Sequence, residues 1–263
     1  MTASAAPETR AARRRRPRAR ATFTSVLGEL LLTAGIVVML FVAWQMWIGD
    51  FIISAQHNAE GAAVSEEWAE APAPEPPPVI TDEETGATWY EPPILAHPGD
   101  GEEFARMRIP RFGDDYNVKI AGGTSRSVTL DKIGIGLYNQ SKMPGEVGNF
   151  SLAGHRTTWG KPFNMIDKLK VGDAIVVETR EGWYTYRYRT LEYVEPSEVD
   201  VLLDVPQVPG AATGERYITL TACSPLYSLA ERIIAYGVFE GFQPRAEGEP
   251  DSLAPVEVAA PSL

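Results

Sequence analysis

The chain of 263 residues contains a single cysteine, Cys223. A lone thiol cannot close an intramolecular disulfide, so a small disulfide-stapled fold is excluded. Histidine is nearly as scarce, with only His57, His97 and His155. One cysteine without a Cys/His cluster near it is a weak metal ligand. Basic residues are missing from a long stretch: none occurs between Arg20 and Arg106. A second long apolar run is missing as well, and so is any internal repeat.

What is present begins with charge of one sign. Residues 10–20, RAARRRRPRAR, hold seven arginines. Leu30 to Ile48 then run for 19 residues without a charge. As a helix at about 1.5 Å per residue this span covers roughly 28 Å, the thickness of a bilayer core. Trp44 and Trp47 stand at its far end, where interfacial aromatics belong. The apolar region of a cleavable signal peptide is only about 7–15 residues long, and Ile53-Ser54-Ala55 is a poor cleavage site. The run is therefore read as an uncleaved anchor. The arginines before it and their absence after it place the N-terminus in the cytoplasm and the rest outside. The expected localisation is a single-pass membrane protein with an extracellular domain.

The net charge of −11 hides an asymmetry. Seven of the 24 basic residues and two of the 35 acidic ones precede Asp50, which leaves about −16 beyond the span. That balance argues against nucleic acid or an anionic membrane surface as a partner. Residues 49–103 carry 13 acids, no Lys or Arg, and the run APAPEPPP, the composition of a solvated, stiffened spacer. Residues 243–263 have the composition of a disordered acidic, Pro-rich tail. The expected organisation is a basic cytoplasmic tail at 1–25, a transmembrane anchor at 26–48, the spacer at 49–103, a folded domain at 104–242, and the tail at 243–263.

The folded domain reads as all-β. FARMRIP, NVKIA, NFSLAGH, AIVVET, WYTYRYRTLEYV, YITLTAC and ERIIAYGVFE are short strands rich in β-branched and aromatic residues. Only FNMIDKL, 163–169, invites a helical turn. Short strands with Pro and Gly punctuation suggest a sandwich or a closed barrel.

Cys223 ends one of these strands. A free cysteine can be a buried, inert thiol that packs as a small hydrophobe. It can also be a nucleophile, given a base or cation to favour the thiolate and a group to hold an oxyanion. A lipid-attachment site is excluded, because Cys223 is far from the apolar span. His155, at the end of the apolar strand in LAGHRTTWGKPF, is the candidate base. His97 lies in the acidic spacer, and His57 stands just beyond the span with no such context. Arg232 follows Cys223 by nine residues and is brought beside it if the two flanking strands are neighbours. It can serve a thiolate or an oxyanion, or pair with Glu231 at the surface.

The three motifs together, Thr-Leu-x-x-Cys on a strand, Arg nine residues later and an upstream Gly-His, resemble the sortase family. RIPRFG, MPGEVGNFSLAGHRTTWGKPF, LKVGDAIVVET, TYRY, YITLTACSP and ERIIAYGVF come in sortase order across most of the domain. The His-Arg-Thr-Thr-aromatic-Gly run and the basic N-terminal anchor look most like class E sortases of high-GC Gram-positive bacteria.

The resemblance implies an eight-stranded closed β-barrel with short helices and turns, behind one N-terminal transmembrane helix. It implies a cysteine transpeptidase acting on the Thr–Gly bond of a Leu-Ala-x-Thr-Gly or Leu-Pro-x-Thr-Gly signal on exported proteins. Cys223 would form the acyl thioester and a peptidoglycan amine would resolve it. His155 would be the general acid and base, and Arg232 would hold the substrate or oxyanion. Trp159, Thr221 and Ala222 would contact substrate. No metal or organic cofactor is required.

Two positions depart from the family. Ala222 replaces a second Thr, and Trp159 stands where class E members often carry Tyr. The alternatives are a pilin-polymerising sortase, a membrane-anchored thiol hydrolase and a non-catalytic surface domain. An L,D-transpeptidase is disfavoured, because its compact Ser-His-Gly-Cys-x-Arg run is missing. No carboxylate in the motifs obviously orients His155. Ordinary thiols and imidazoles titrate near about 8.5 and 6.5, which makes the reactive ion pair a minority species and the enzyme slow.

Overall fold

The computed structural model describes residues 22–256 except Thr213, and the basic tail and last seven residues lie outside that range. The chain divides into two units at Trp44. The first holds helix α1, Phe23–Ala43, started by Thr22, whose hydroxyl accepts the Ser25 N–H at 3.3 Å. Among the described residues it is the one helix long and apolar enough to cross a membrane. The side chain of Trp47 lies outside the described residues.

The second unit is built on a closed barrel. Its strands are β3 (Glu103–Arg108), β4 (Val118–Gly122), β5 (Ile135–Leu137), β6 (Gly148–Gly154), β7 (Ala174–Glu178), β8 (Gly182–Val194), β9 (Arg216–Ser224) and β10 (Glu231–Pro244). A two-stranded hairpin, β1 (Val79–Thr81) with β2 (Thr88–Tyr90), precedes it. The barrel order is β10-β8-β7-β3-β4-β5-β6-β9, the eight-stranded closure the resemblance implies. The pairs β4–β5 and β6–β9 are parallel, and the other six are antiparallel.

Alternation fills the interior: Phe150 and Leu152 of β6, Ile218 and Leu220 of β9, and Tyr184 and Tyr186 of β8 are all fully buried. β6 is covered on its other face too, by the 199–203 segment. There Asn149 donates through Nδ2 to the carbonyls of Val201 and Leu203 at 3.0 and 2.9 Å. Its Oδ1 accepts the Thr219 hydroxyl of β9 at 2.7 Å. The helical turn expected in FNMIDKL is a 3-10 turn, Ile166–Lys168.

The expected solvated spacer is folded over its first part. Helix α2, Asp50–Glu70, packs on β4, where Lys119 pairs with Glu60 at 2.9 Å. It has no apolar stripe, which is why composition hides it. Its contacts with the barrel strands come from a glycine, polar groups and one indole. Gly61 lies against Asn117 so closely that a Cβ would meet the Asn117 carbonyl oxygen at 2.0 Å. Arg106 donates to the Gly61 carbonyl and stacks over Trp68 at 4.2 Å. Ser65 donates to Glu178 at 3.0 Å.

The tail expected to be disordered is ordered as far as it is described. Arg245 is buried and pairs with Glu178 at 3.0 Å. Two 3-10 turns follow, Arg245–Glu247 and Asp251–Leu253.

Asp173 locks the start of β7 to the turn after β3. Its carboxylate accepts from Arg111 Nε and Nη2 at 2.8 and 2.6 Å, and from the Lys170 N–H at 2.8 Å. Burial pushes its pKa up, but Arg111 and that amide outweigh it and hold the group below its ordinary 3.8. This stabilisation is complete above pH 4 or so and is lost as pH falls through the lower native value. Asp173→Asn should cost about 1–3 kcal/mol at pH 7. In urea unfolding, the gap between variant and native chain should narrow below pH 4.

Candidate active site

Parallel pairing of β6 with β9 puts Ala153 opposite Thr221. Parallel strands leave a barrel at the same rim, so His155 and Cys223, each two residues further on, emerge together. β10 returns antiparallel and sets Arg232 opposite Cys223. The three sequence candidates thus share one edge and line one groove of about 560 Å³. Thr221 and Ala222 border it as well. A neighbouring cleft of about 620 Å³, under the segment 202–211, shares Thr124 and Tyr138 with the groove.

The Cys223 thiol is free and partly buried. His155 Nε2 lies 2.7 Å from Asp131 Oδ1. An ionised carboxylate only accepts, so Nε2 carries the proton and Nδ1 is left as the basic nitrogen. The Arg126 guanidinium stands 3.4 Å from the same carboxylate oxygen. Arg232 makes no ion pair with Glu231 among the described residues. Its Nη1 donates instead to the carbonyls of Leu229 and Glu231, at 3.2 and 3.0 Å. That holds a cation on the groove that no carboxylate neutralises among the described residues. A thiol, an oriented imidazole and an unpaired guanidinium at an open groove form a set suited to acyl transfer.

Other residues separate into two groups. The Thr221 hydroxyl is within 2.9 Å of the Tyr138 hydroxyl on the groove wall. Ala222 packs into the barrel core. Trp159 is 42% exposed, has a left-handed backbone with φ of 54°, and does not line the groove. His57, which the sequence left without a context, is buried on α2.

Sequence reasoning missed three groups. Asp131 supplies the carboxylate for His155 from a turn 24 residues upstream, a spacing that carries no signal. Tyr138 follows a strand too short to notice. Arg156 was legible only as part of a motif. It is buried, donates to the Ser224 hydroxyl at 3.3 Å, and so ties the residue after His155 to the residue after Cys223. Among the described residues no group of three His, Cys, Asp or Glu could hold a metal ion.

Comparison with known proteins gives one family. The family model described as "Sortase domain" matches residues 107–240. Sortase SrtE1 of Streptomyces coelicolor is 36% identical over 250 residues, covering 93% of this chain. The match spans only 65% of SrtE1's own length. Sortase SrtE2 of the same organism is 33% identical over 231 residues, 85% of each chain. The crystal structure of Sortase E1 from S. coelicolor with a tripeptide in the active site superposes with a TM-score of 0.55. It is 40% identical over 59% of this chain and 99% of that one.

An accessible thiol beside an imidazole is expected to react in the folded state. Iodoacetamide should label Cys223 in the native chain, and His155→Ala should slow labelling at pH 7 about three- to tenfold by removing the base that accepts the thiol proton. Rates followed by intact-mass spectrometry check this. A thiol labelled only after unfolding would be a packed, silent one.

Proposed function

This chain belongs to the sortase family and is similar to class E sortases, and from that premise we propose that it is a membrane-anchored cysteine transpeptidase. The observation that carries the reading is the shared rim: Cys223, the Asp131-bound His155 and the unneutralised Arg232 line one groove.

The chemistry follows from these positions. Cys223 passes its thiol proton to His155 Nδ1, and the thiolate sulfur attacks the scissile carbonyl of a Thr–Gly bond in a C-terminal sorting signal. Arg232 stabilises the charge that develops on the carbonyl oxygen. His155 gives a proton to the departing amine as the thioester forms. It then takes a proton from the incoming amine, whose nitrogen attacks the thioester and restores the thiol. Asp131 holds the imidazole in the required tautomer and balances its positive charge. No step calls on a metal or organic cofactor.

The S. coelicolor enzyme holds a tripeptide in its active site. In this chain an extended peptide of that kind would run through the groove, past the Thr221–Tyr138 hydroxyl pair, into the cleft beside it. We take Leu-Ala-x-Thr-Gly as the signal preferred over Leu-Pro-x-Thr-Gly. The substrates are exported proteins, and the accepting amine belongs to a peptidoglycan precursor. α1 and the arginines before it anchor the enzyme with its N-terminus in the cytoplasm and the barrel outside.

The test is a covalent adduct. The full chain in detergent micelles is mixed with peptides carrying either signal, with and without an added amine. Intact mass should show an acyl adduct on Cys223 that the amine resolves, with the Ala signal favoured. Cys223→Ala should form none. Arg232→Ala should lose about 10²–10³-fold in turnover and His155→Ala about 10²–10⁴-fold. Release of acid alone, independent of amine, would make the protein a thiol hydrolase.

A further inference from the structure

Helix α2 reaches the two loops that carry the His155–Asp131 pair, and one side chain touches both. His57 is 5% exposed, and its Nδ1 has no hydrogen-bond partner. One side of the ring faces the turn that follows Asp131. On its other side lies Gly160, five residues after His155. A Cβ there would stand 2.7 Å from His57 Nδ1 and 3.2 Å from Ile53. Gly134 closes the same contact from the Asp131 side, its would-be Cβ 3.5 Å from Nδ1.

The loop under this ring does not hold its shape unaided. Trp159 and Lys161 both have left-handed backbones, with φ of 54° and 41°. Such conformations cost roughly 1–3 kcal/mol each and persist only where surroundings impose them. α2 supplies those surroundings: His57 and Ile53 bear on Gly160. The helix is a firm support, because its other half is fixed to the barrel through Gly61, Ser65 and Trp68.

We propose that His57 is a positioning residue, which holds the Asp131 and His155 loops in register so that the carboxylate meets Nε2. Its catalytic consequence rests on the transpeptidase reading, with His155 as acid and base. The segment that follows the apolar helix is then a working part of the enzyme, and its deletion would loosen the site.

The test uses the full chain in detergent micelles, labelled with ¹⁵N-histidine. Three histidines give a simple spectrum. The native chain should show His155 in the Nε2–H tautomer. His57→Phe fills the space but carries no ring nitrogen toward Gly134 and Gly160. It should move His155 toward a tautomer mixture. It should also lower kcat about tenfold, with KM within about twofold, the kind of loss a small misplacement causes. His57→Gln keeps a donor and should restore both readouts to within about threefold.

Gly160→Ala, which pushes the loop from the other side, should reproduce the spectral change. Unmoved His155 signals in folded His57→Phe and Gly160→Ala chains would overturn the proposal, as would a glutamine variant no better than phenylalanine. A tautomer shift in His57→Phe, alongside a native chain that acylates neither peptide, would support the positioning and refute the transpeptidase reading instead.

Discussion

Strands β6 and β9 run side by side in the same direction, with Ser151 opposite Thr219 and Ala153 opposite Thr221. Everything at the rim depends on that register. A slip of one residue would turn every side chain of β9 to the opposite face and carry Cys223 away from the His155 edge. Parallel neighbours cannot be joined by a tight turn, so the chain makes a long excursion between them. That excursion builds β7, β8 and the 199–203 segment. Asn149 closes the arrangement: one amide binds β9 through Thr219 and the returning segment through two carbonyls. The groove wall and the reactive edge are consequences of one pairing.

A second constraint holds the periphery to this barrel. Glu178 is fully buried, yet it faces three arginines: Arg106 at 3.2 Å, Arg245 at 3.0 Å and Arg108 at 3.8 Å. Burying such charges costs several kcal/mol per ion, and well-made pairs do little more than recover it. What the cluster supplies is specificity of arrangement. Ser65 of α2, Arg106 of β3 and Arg245 after β10 all converge on one carboxylate. Trp68 extends the group, with Arg106 at 4.2 Å and Arg245 at 5.6 Å from its ring. Burial and its neighbouring arginines bring the Arg106 pKa down to about 10, still charged at neutral pH. Segments far apart in the sequence therefore acquire one common anchor.

The strands were legible where alternation and β-branched or aromatic residues were dense, as in β8 and β10. β5 was not, because it is three residues long and carries a glycine. The His155, Cys223 and Arg232 positions were legible through motif order and strand adjacency. Asp131 was not, since its meeting with His155 is made by a loop and no periodicity reports it. α2 escaped for a different reason. Composition reads charge, and its acids dominate, while the helix is held by Gly61, His57, Ser65 and Trp68 making polar and close backbone contacts. Arg245 and its neighbours were obscured likewise by a Pro- and Glu-rich context. The sequence reports apolar burial well and buried polar convergence poorly.

The solitary sulfur has a bearing on chemical durability. Cys223 is partly buried at the edge of an open groove, and the chain holds no other cysteine. Oxidised to a sulfenic acid, it has no internal thiol to condense with, so the protective disulfide open to two-cysteine redox proteins is closed to it. Its recovery depends on small thiols from the surroundings, and without them further oxidation to the sulfinic acid is irreversible. The working lifetime of each molecule is then set by the oxidants it meets as well as by the stability of its barrel.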